Sequence, residues 1–184
     1  MILDSLLFFT GGTGGVGNAD GLTDSPTTGT QNSSNVLDLA GPALPASQTS
    51  PFAAPGRDLG IGDDPALKLL VLVTVAFASG TNLAVNFQGA PDNGAGLAGT
   101  FTTYVTGPTV TEANMIVGSR LLEIDWPRPA PNVVPPRFVR LGYVSSGTHT
   151  AGRIEGCAVL DRHDQPLDSN AVLGAYPPGI TIAN

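Results

Sequence analysis

Residues 67–87 read LKLLVLVTVAFASGTNLAVNF, and the way this stretch divides decides the fold. Its second part, TNLAVNF, alternates strictly. Leu83, Val85 and Phe87 fall on one side and Asn82, Ala84 and Asn86 on the other, the period of a strand with one buried face. Its first part, LKLLVLVTVAF at 67–77, is apolar on both sides apart from Lys68 and Thr74, which predicts a central strand covered on both faces. The apolar run is too short for a membrane span, which needs about 20 residues. Between the two parts, SGTN reads as a turn.

The same alternation spreads outward. RLLEIDW sets Leu122, Ile124 and Trp126 against Glu123 and Asp125, and RFVRLGYV groups Val139, Leu141 and Tyr143. RIEGCAVL sets Ile154, Gly156, Ala158 and Leu160 against Arg153, Glu155 and Cys157. Shorter runs at GTFTTYV, PTVT and GITIA, with NVLDLAG at 35–41, bring the expected total to eight or nine strands. GAPDNGAG and SSGTHTAG read as turns, and TEANMIV holds at most one or two helical turns. Short strands joined by Gly/Pro turns predict a sandwich or barrel, and of these an all-β double sheet, a β-sandwich. Residues 57–184 form the expected sandwich domain. Residues 1–56 supply an N-terminal strand and extended Pro/Gly-rich loops that pack on the sandwich or on neighbouring subunits.

Composition narrows the partners. Gly 24 and Pro 16 together make 40 of 184 residues, well above an average share of about 12%. Lys+Arg 8 against Asp+Glu 15 gives a net charge of −7 with no basic stripe, so phosphate neutralisation on nucleic acid is not expected. Cys157 is the single cysteine, which forbids an intrachain disulfide. The opening MILDSLLFFTGG has an apolar core without a preceding Lys or Arg and does not read as a secretory leader. The expectation is a soluble chain made in a cytoplasm, with no membrane partner.

Gly12-Thr13-Gly14-Gly15-Val16-Gly17 spells G-x-G-x-x-G after an apolar run. A nucleotide loop needs a helix next, whose N-terminus holds the pyrophosphate, and an acidic residue about 20 positions on, where Asp38 stands. The intervening chain carries Gly21, Pro26 and Gly29 and no apolar periodicity. Glycine costs a helix about 1 kcal/mol and proline about 3 kcal/mol relative to alanine, so the stretch reads as a flexible loop. Residues 11–55 are accordingly expected to be mobile in the free chain. Within them, 42–55 carry four prolines and read as an extended connection.

Candidate chemistry is sparse. Ser146, His149 and Asp161 spell a nucleophile–base–acid set, but no local nucleophile signature accompanies them, and His149 and His163 read as exposed turn residues. Asp161, His163, Asp164 and Asp168 crowd one segment without the alternation or central glycine of a calcium loop, and read as a turn. Cys157 reads as a small buried or half-buried side chain. Trp126 reads equally as a core or an interface anchor, and the proline run 127–136 as a stiff loop between strands. No catalytic, cofactor-binding or metal-ligating residue is assigned, and no cofactor.

Several segments taken in order, MILDSLLFF, NVLDLAG, GRDLGIGDDPALKLLVLVTVAF, GSRLLEIDWP, RFVRLGYVSSG, AGRIEGCAVLD and AYPPGITIAN, resemble the jelly-roll capsid cement (decoration) proteins of short-tailed bacteriophages. The resemblance implies a jelly-roll type β-sandwich of about eight strands, in a non-enzymatic virion protein on the capsid exterior, assembled in the host cytoplasm. It implies binding to the major capsid protein of an HK97-type shell, with self-association as a dimer or other small oligomer, stabilising the expanded DNA-filled head. The loops 10–34 and 41–56 are longer than the family requires. A carbohydrate- or receptor-binding jelly roll of a phage particle is the alternative. It calls for exposed aromatics, for which Tyr104, Trp126 and Tyr143 are the material. A hydrolase on a β-sandwich is the third reading.

Overall fold

A computed structural model describes residues 7–12, 15–39, 67–127 and 136–160. The fold is all-β. Its elements are β1 (Gly29–Asn32), β2 (Leu37–Asp38), β3 (Leu67–Ala90), β4 (Thr102–Thr111), a 3-10 turn (Glu112–Asn114), β5 (Arg120–Asp125) and β6 (Phe138–Leu160). The expected helical turn at TEANMIV is this 3-10 turn.

The two expected turns SGTN and SSGTHTAG are not chain reversals. Each lies inside one long strand, so four predicted strands become two, β3 and β6, which pair antiparallel from Leu67↔Leu160 to Ala90↔Phe138. Four register shifts between Val73 and Asn82 absorb the irregular sequence there, with positive φ at Ser79, Gly147 and Gly152. Such bulges bend a ribbon instead of ending it. Likewise GTFTTYV and PTVT merge into β4. GAPDNGAG is a reversal, in which the Asp92 carboxylate accepts the amides of Gly94 (2.7 Å) and Gly96 (3.0 Å).

The bend divides the ribbon into two layers. In the first, β5 pairs with the start of β3, and single bridges join Phe8 to Cys157 and Asp24 to Ile154 on the far edge of β6. In the second, β4 pairs with the end of β3, and β1 and β2 pair with the start of β6. The layers close over one core. A Cβ on Gly156 would stand 2.7 Å from Leu141 of the opposite half of the same strand, and one on Gly107 of β4 would stand 3.3 Å from Leu122 of β5.

That core holds the residues the alternation selected: Leu83, Val85, Phe87, Val139, Leu141, Tyr143 and Ile154 are all buried. Trp126 resolves as a core anchor, its ring 6.3 Å from Phe9 and 5.4 Å from Phe87. The expectation of double coverage for 67–77 holds for its first half. Leu69, Val71 and Val73 enter the main core, while Leu70 joins Phe8, Cys157 and Val159 in a second cluster on the other face. Val75, at the bend, is exposed. At about 25 cal/mol per Å² of buried apolar surface, each fully buried Leu or Phe contributes about 2 kcal/mol.

Residues 11–12 and 15–39, read from the sequence as part of a flexible stretch at 11–55, are packed against the sheet. The segment folds against β6 and carries β1, because its polar side chains bond to one another and to the sheet in place of a periodic apolar face. Gly12 and Gly17 belong to this packing: a Cβ on Gly17 would fall 1.8 Å from the Gly12 carbonyl oxygen. No helix follows them, so the nucleotide-loop spelling has no structural counterpart. The Pro-rich 42–55, most of the 127–136 run, GITIA and the Asp161–Asp168 group lie outside the described residues.

Candidate interaction surfaces

The N-terminal segment is held by a buried carboxylate. Asp24 is fully buried and accepts from the Tyr143 hydroxyl (2.9 Å), the Ser34 amide (3.0 Å), the Gly11 amide (3.2 Å) and the Ser34 hydroxyl. The Ser34 hydroxyl in turn accepts from the Gly12 amide (2.7 Å). Burial, followed by the Asp24 charge, pushes the Tyr143 phenol well above its usual range. Thr10 extends the lock: its hydroxyl donates to the Leu22 carbonyl (2.8 Å) and accepts from the Gly156 amide (3.1 Å). A buried charge needs this number of donors to offset its lost hydration. The site is a clamp, with every group committed to structure.

A second cluster sits at the bend. His149 is buried, not exposed as the sequence suggested, because SSGTHTAG is strand. Its ring meets Phe77 edge-on at 5.0 Å, and its Nε2 faces the Asn82 carbonyl at 3.3 Å. Nδ1 has no partner among the described residues and lies against Gly80, where a Cβ would come within 1.9 Å of it. Ser146 is exposed opposite Asn82 and makes no hydrogen bond with His149, so the spelled catalytic set is not assembled there. Asp161 lies outside the described residues.

Beside the bend, a cleft of about 330 Å³ is lined by Asn18, Ser25, Pro26, Val75 and Arg153, among others. At its rim Arg153 pairs with Asp20 at 3.0 Å. The Thr23 hydroxyl, the amides of Leu22 and Thr23, and Arg153 hold the Asp20 carboxyl down to about 2. The polar groups of this wall are largely spent on one another, since the Asn18 amide donates to Thr23 and Ser25.

At the far end, Arg137 forks onto Asp38 with both bonds at 2.9 Å and also reaches Asp92. This raises the guanidinium above its usual range and fastens β2 to the 91–98 reversal. Sequence reasoning missed this clamp because its members are 99 residues apart. No periodic signal links them.

The exposed surface has two notable parts. Apolar side chains stand at both ends of β4: Leu97 in the reversal before it, 64% exposed, and Ile116 and Val117 after it, 57% and 59% exposed. Ten residues of strand at about 3.3 Å each separate these tips by about 30 Å. The outward face of the second layer is uncharged along β3 and β4, with Arg140 of β6 beside Gln88. β3 presents Asn82, Ala84, Asn86 and Gln88, opposite Thr111, Thr109, Thr106 and Thr103 of β4. Of the three aromatics considered for carbohydrate stacking, Trp126 and Tyr143 are buried and Tyr104 is half-buried.

Compared with protein-family models and with curated proteins, the chain matches none.

Proposed function

We propose that the chain is a structural virion protein that binds the outside of an HK97-type capsid, bridges neighbouring capsomers and stabilises the expanded, DNA-filled head. The reading takes the folded ribbon as a jelly roll, and it takes the short N-terminal pairing at Phe8, β2 and the sandwich in the order that the cement-protein resemblance implies. The observation that carries it is the pair of exposed apolar tips about 30 Å apart beyond the two ends of β4. A cement needs two grips at a fixed spacing, because a two-point contact gains from effective concentration only when the spacing matches. The clamps at Asp24 and Arg137 serve that fixed spacing, since they tie the N-terminal segment and the end loop to the sheet. Carbohydrate binding loses support, as two of its three candidate aromatics are in the core.

Removing the chain tests the reading. Heads made without it should assemble and package normally, then lose DNA or rupture on heating or in chelator. Adding purified chain back should restore them. Heads that withstand heat equally well without the chain would exclude a cementing role.

A further inference from the structure

We infer that Asn93 is a site of self-modification through a cyclic imide, primed by the Asn-Gly step of the 91–98 reversal and restrained by the Asp92 carboxylate while the reversal is folded. Of the chain's asparagines, only Asn93 precedes a glycine. The chemistry is intramolecular and needs only water. The Gly94 nitrogen gives its proton to hydroxide, and its electron pair attacks Asn93 Cγ. The new N–Cγ bond closes a five-membered ring as the Cγ–Nδ2 bond breaks, and Nδ2 takes a proton from water and leaves as ammonia. Water then adds to either ring carbonyl. One opening restores the backbone with aspartate at 93. The other routes the backbone through Cγ, an isoaspartyl linkage with a free α-carboxylate. Glycine favours closure because it has no Cβ to crowd the attacking nitrogen.

The reversal presents the step to solvent and activates its carbonyl. Residues 91–97 are all exposed, so hydroxide and water reach it. Asn93 Oδ1 accepts the Ala95 amide at 2.8 Å and faces the Leu97 amide at 3.4 Å. A side-chain oxygen bonded two residues on keeps Cγ beside the intervening nitrogen, here that of Gly94. The same two donors draw electrons from Cγ and stabilise the oxyanion that forms there on attack.

The restraint acts on the nitrogen. The Gly94 N–H donates to Asp92 Oδ1 at 2.7 Å, an oxygen shared with the Gly96 amide at 3.0 Å. Arg137 holds the other oxygen of that carboxylate. The Gly94 amide first, then the Gly96 amide and Arg137, keep the Asp92 carboxyl below its usual range, so it is ionised at neutral pH. Attack requires the Gly94 N–H to ionise. That breaks a charge-assisted hydrogen bond and sets a second negative charge beside the carboxylate. Charge-assisted bonds are about twice as strong as neutral ones, so the restraint outweighs the activation by Ala95 and Leu97. Asp92 is thus a positioning residue for a reaction that its neighbour undergoes. Modification reaches the Leu97 tip, because the Asn93 amide donates to the Leu97 carbonyl at 2.9 Å and an isoaspartyl linkage lengthens the backbone at that point. This chemistry is independent of what the chain binds.

Peptide mapping by mass spectrometry, with enzymatic methylation to score isoaspartate, follows residue 93 during incubation at pH 8. Folded wild type should react at least tenfold more slowly than wild type in urea, a barrier difference of about 1.4 kcal/mol. Folded Asp92→Ala should react at least tenfold faster than folded wild type. Asp92→Asn keeps an acceptor for the Gly94 amide but not the charge, and should fall between the two. In urea, Gly94→Ala should slow the reaction, since its Cβ crowds the nitrogen. Trp126 fluorescence reports that each variant is folded, and if Asp92→Ala unfolds, the Asp92→Asn rate against wild type decides. No product at residue 93 in urea, equal rates for folded and unfolded wild type, or folded Asp92 variants no faster than wild type would each overturn the inference.

Discussion

Replacing Asp24 with alanine removes the acceptor on which the N-terminal segment closes. Four donors point at its carboxylate: the Tyr143 hydroxyl, the Ser34 amide, the Gly11 amide and the Ser34 hydroxyl. The Ser34 hydroxyl can turn, and Gly11 is only half-buried, so water can reach that amide. The Tyr143 hydroxyl, fully buried, and the Ser34 amide, half-buried, are left without a protein partner. At about 1–3 kcal/mol for a buried group left unpaired, and less for the half-buried amide, the expected loss is about 3 kcal/mol, a large share of a typical stability of about 5–15 kcal/mol. Tyr143→Phe leaves the carboxylate its other three donors and should cost only about 1–2 kcal/mol. Urea unfolding followed by Trp126 fluorescence measures both. The indole is buried and stacks on Phe9, whose amide bonds to the Gly156 carbonyl in the strand that receives the segment. An Asp24→Ala variant within about 0.5 kcal/mol of wild type, the range of an ordinary surface substitution, would refute the clamp. So would Tyr143→Phe costing more than Asp24→Ala.

Three further outcomes follow from the packing. Val71→Asp should cost several kcal/mol or prevent folding, because Val71 is fully buried in the main apolar core; unchanged stability in a urea titration would show the register of β3 to be wrong. Gly80→Ala should destabilise by about 2–4 kcal/mol through overlap with the His149 ring, and in His149→Ala the same change should cost at least about 1 kcal/mol less; strictly additive losses would mean the two residues do not touch. Burial first, then the Glu155 charge, push the Cys157 thiol up to about 12 from its ordinary 9.0, so its neutral form is favoured in the fold. That contribution is fully present below pH 9 and is lost as pH rises toward 12, so native protein should resist thiol reagents at pH 8 and label only on unfolding, whereas rapid labelling of folded protein would contradict its burial.

Strand positions and core faces were legible because alternation is a local signal. Leu83, Val85 and Phe87 announce their face through neighbours two residues away, and so do Val139, Leu141 and Tyr143. Strand length was not legible. A Gly-Thr-Asn or Ser-Gly-Thr stretch is compatible with a reversal or with a bulged bend, and only pairing with a distant partner, Gly80 with Gly147, selects the bend. The exposure of His149 was misread for the same reason. The N-terminal segment was misread because its stability lies in hydrogen bonds from Asp24, Ser34 and Thr10, which leave no apolar period in the sequence. The Arg137–Asp38 pair emerges only when β2 is laid beside β6.

The central claim concerns the shell, and a mixing experiment addresses it most directly. Purified chain is added to expanded, mature heads and, separately, to compact precursor heads, and each mixture is sedimented. On the proposed reading, grips about 30 Å apart would span neighbouring capsomers only at one separation, and matched two-point contact strengthens binding by about 10²–10⁴-fold. The chain should therefore pellet with expanded heads and remain in solution with precursors. Equal binding to both forms, or to neither, would contradict the cementing role.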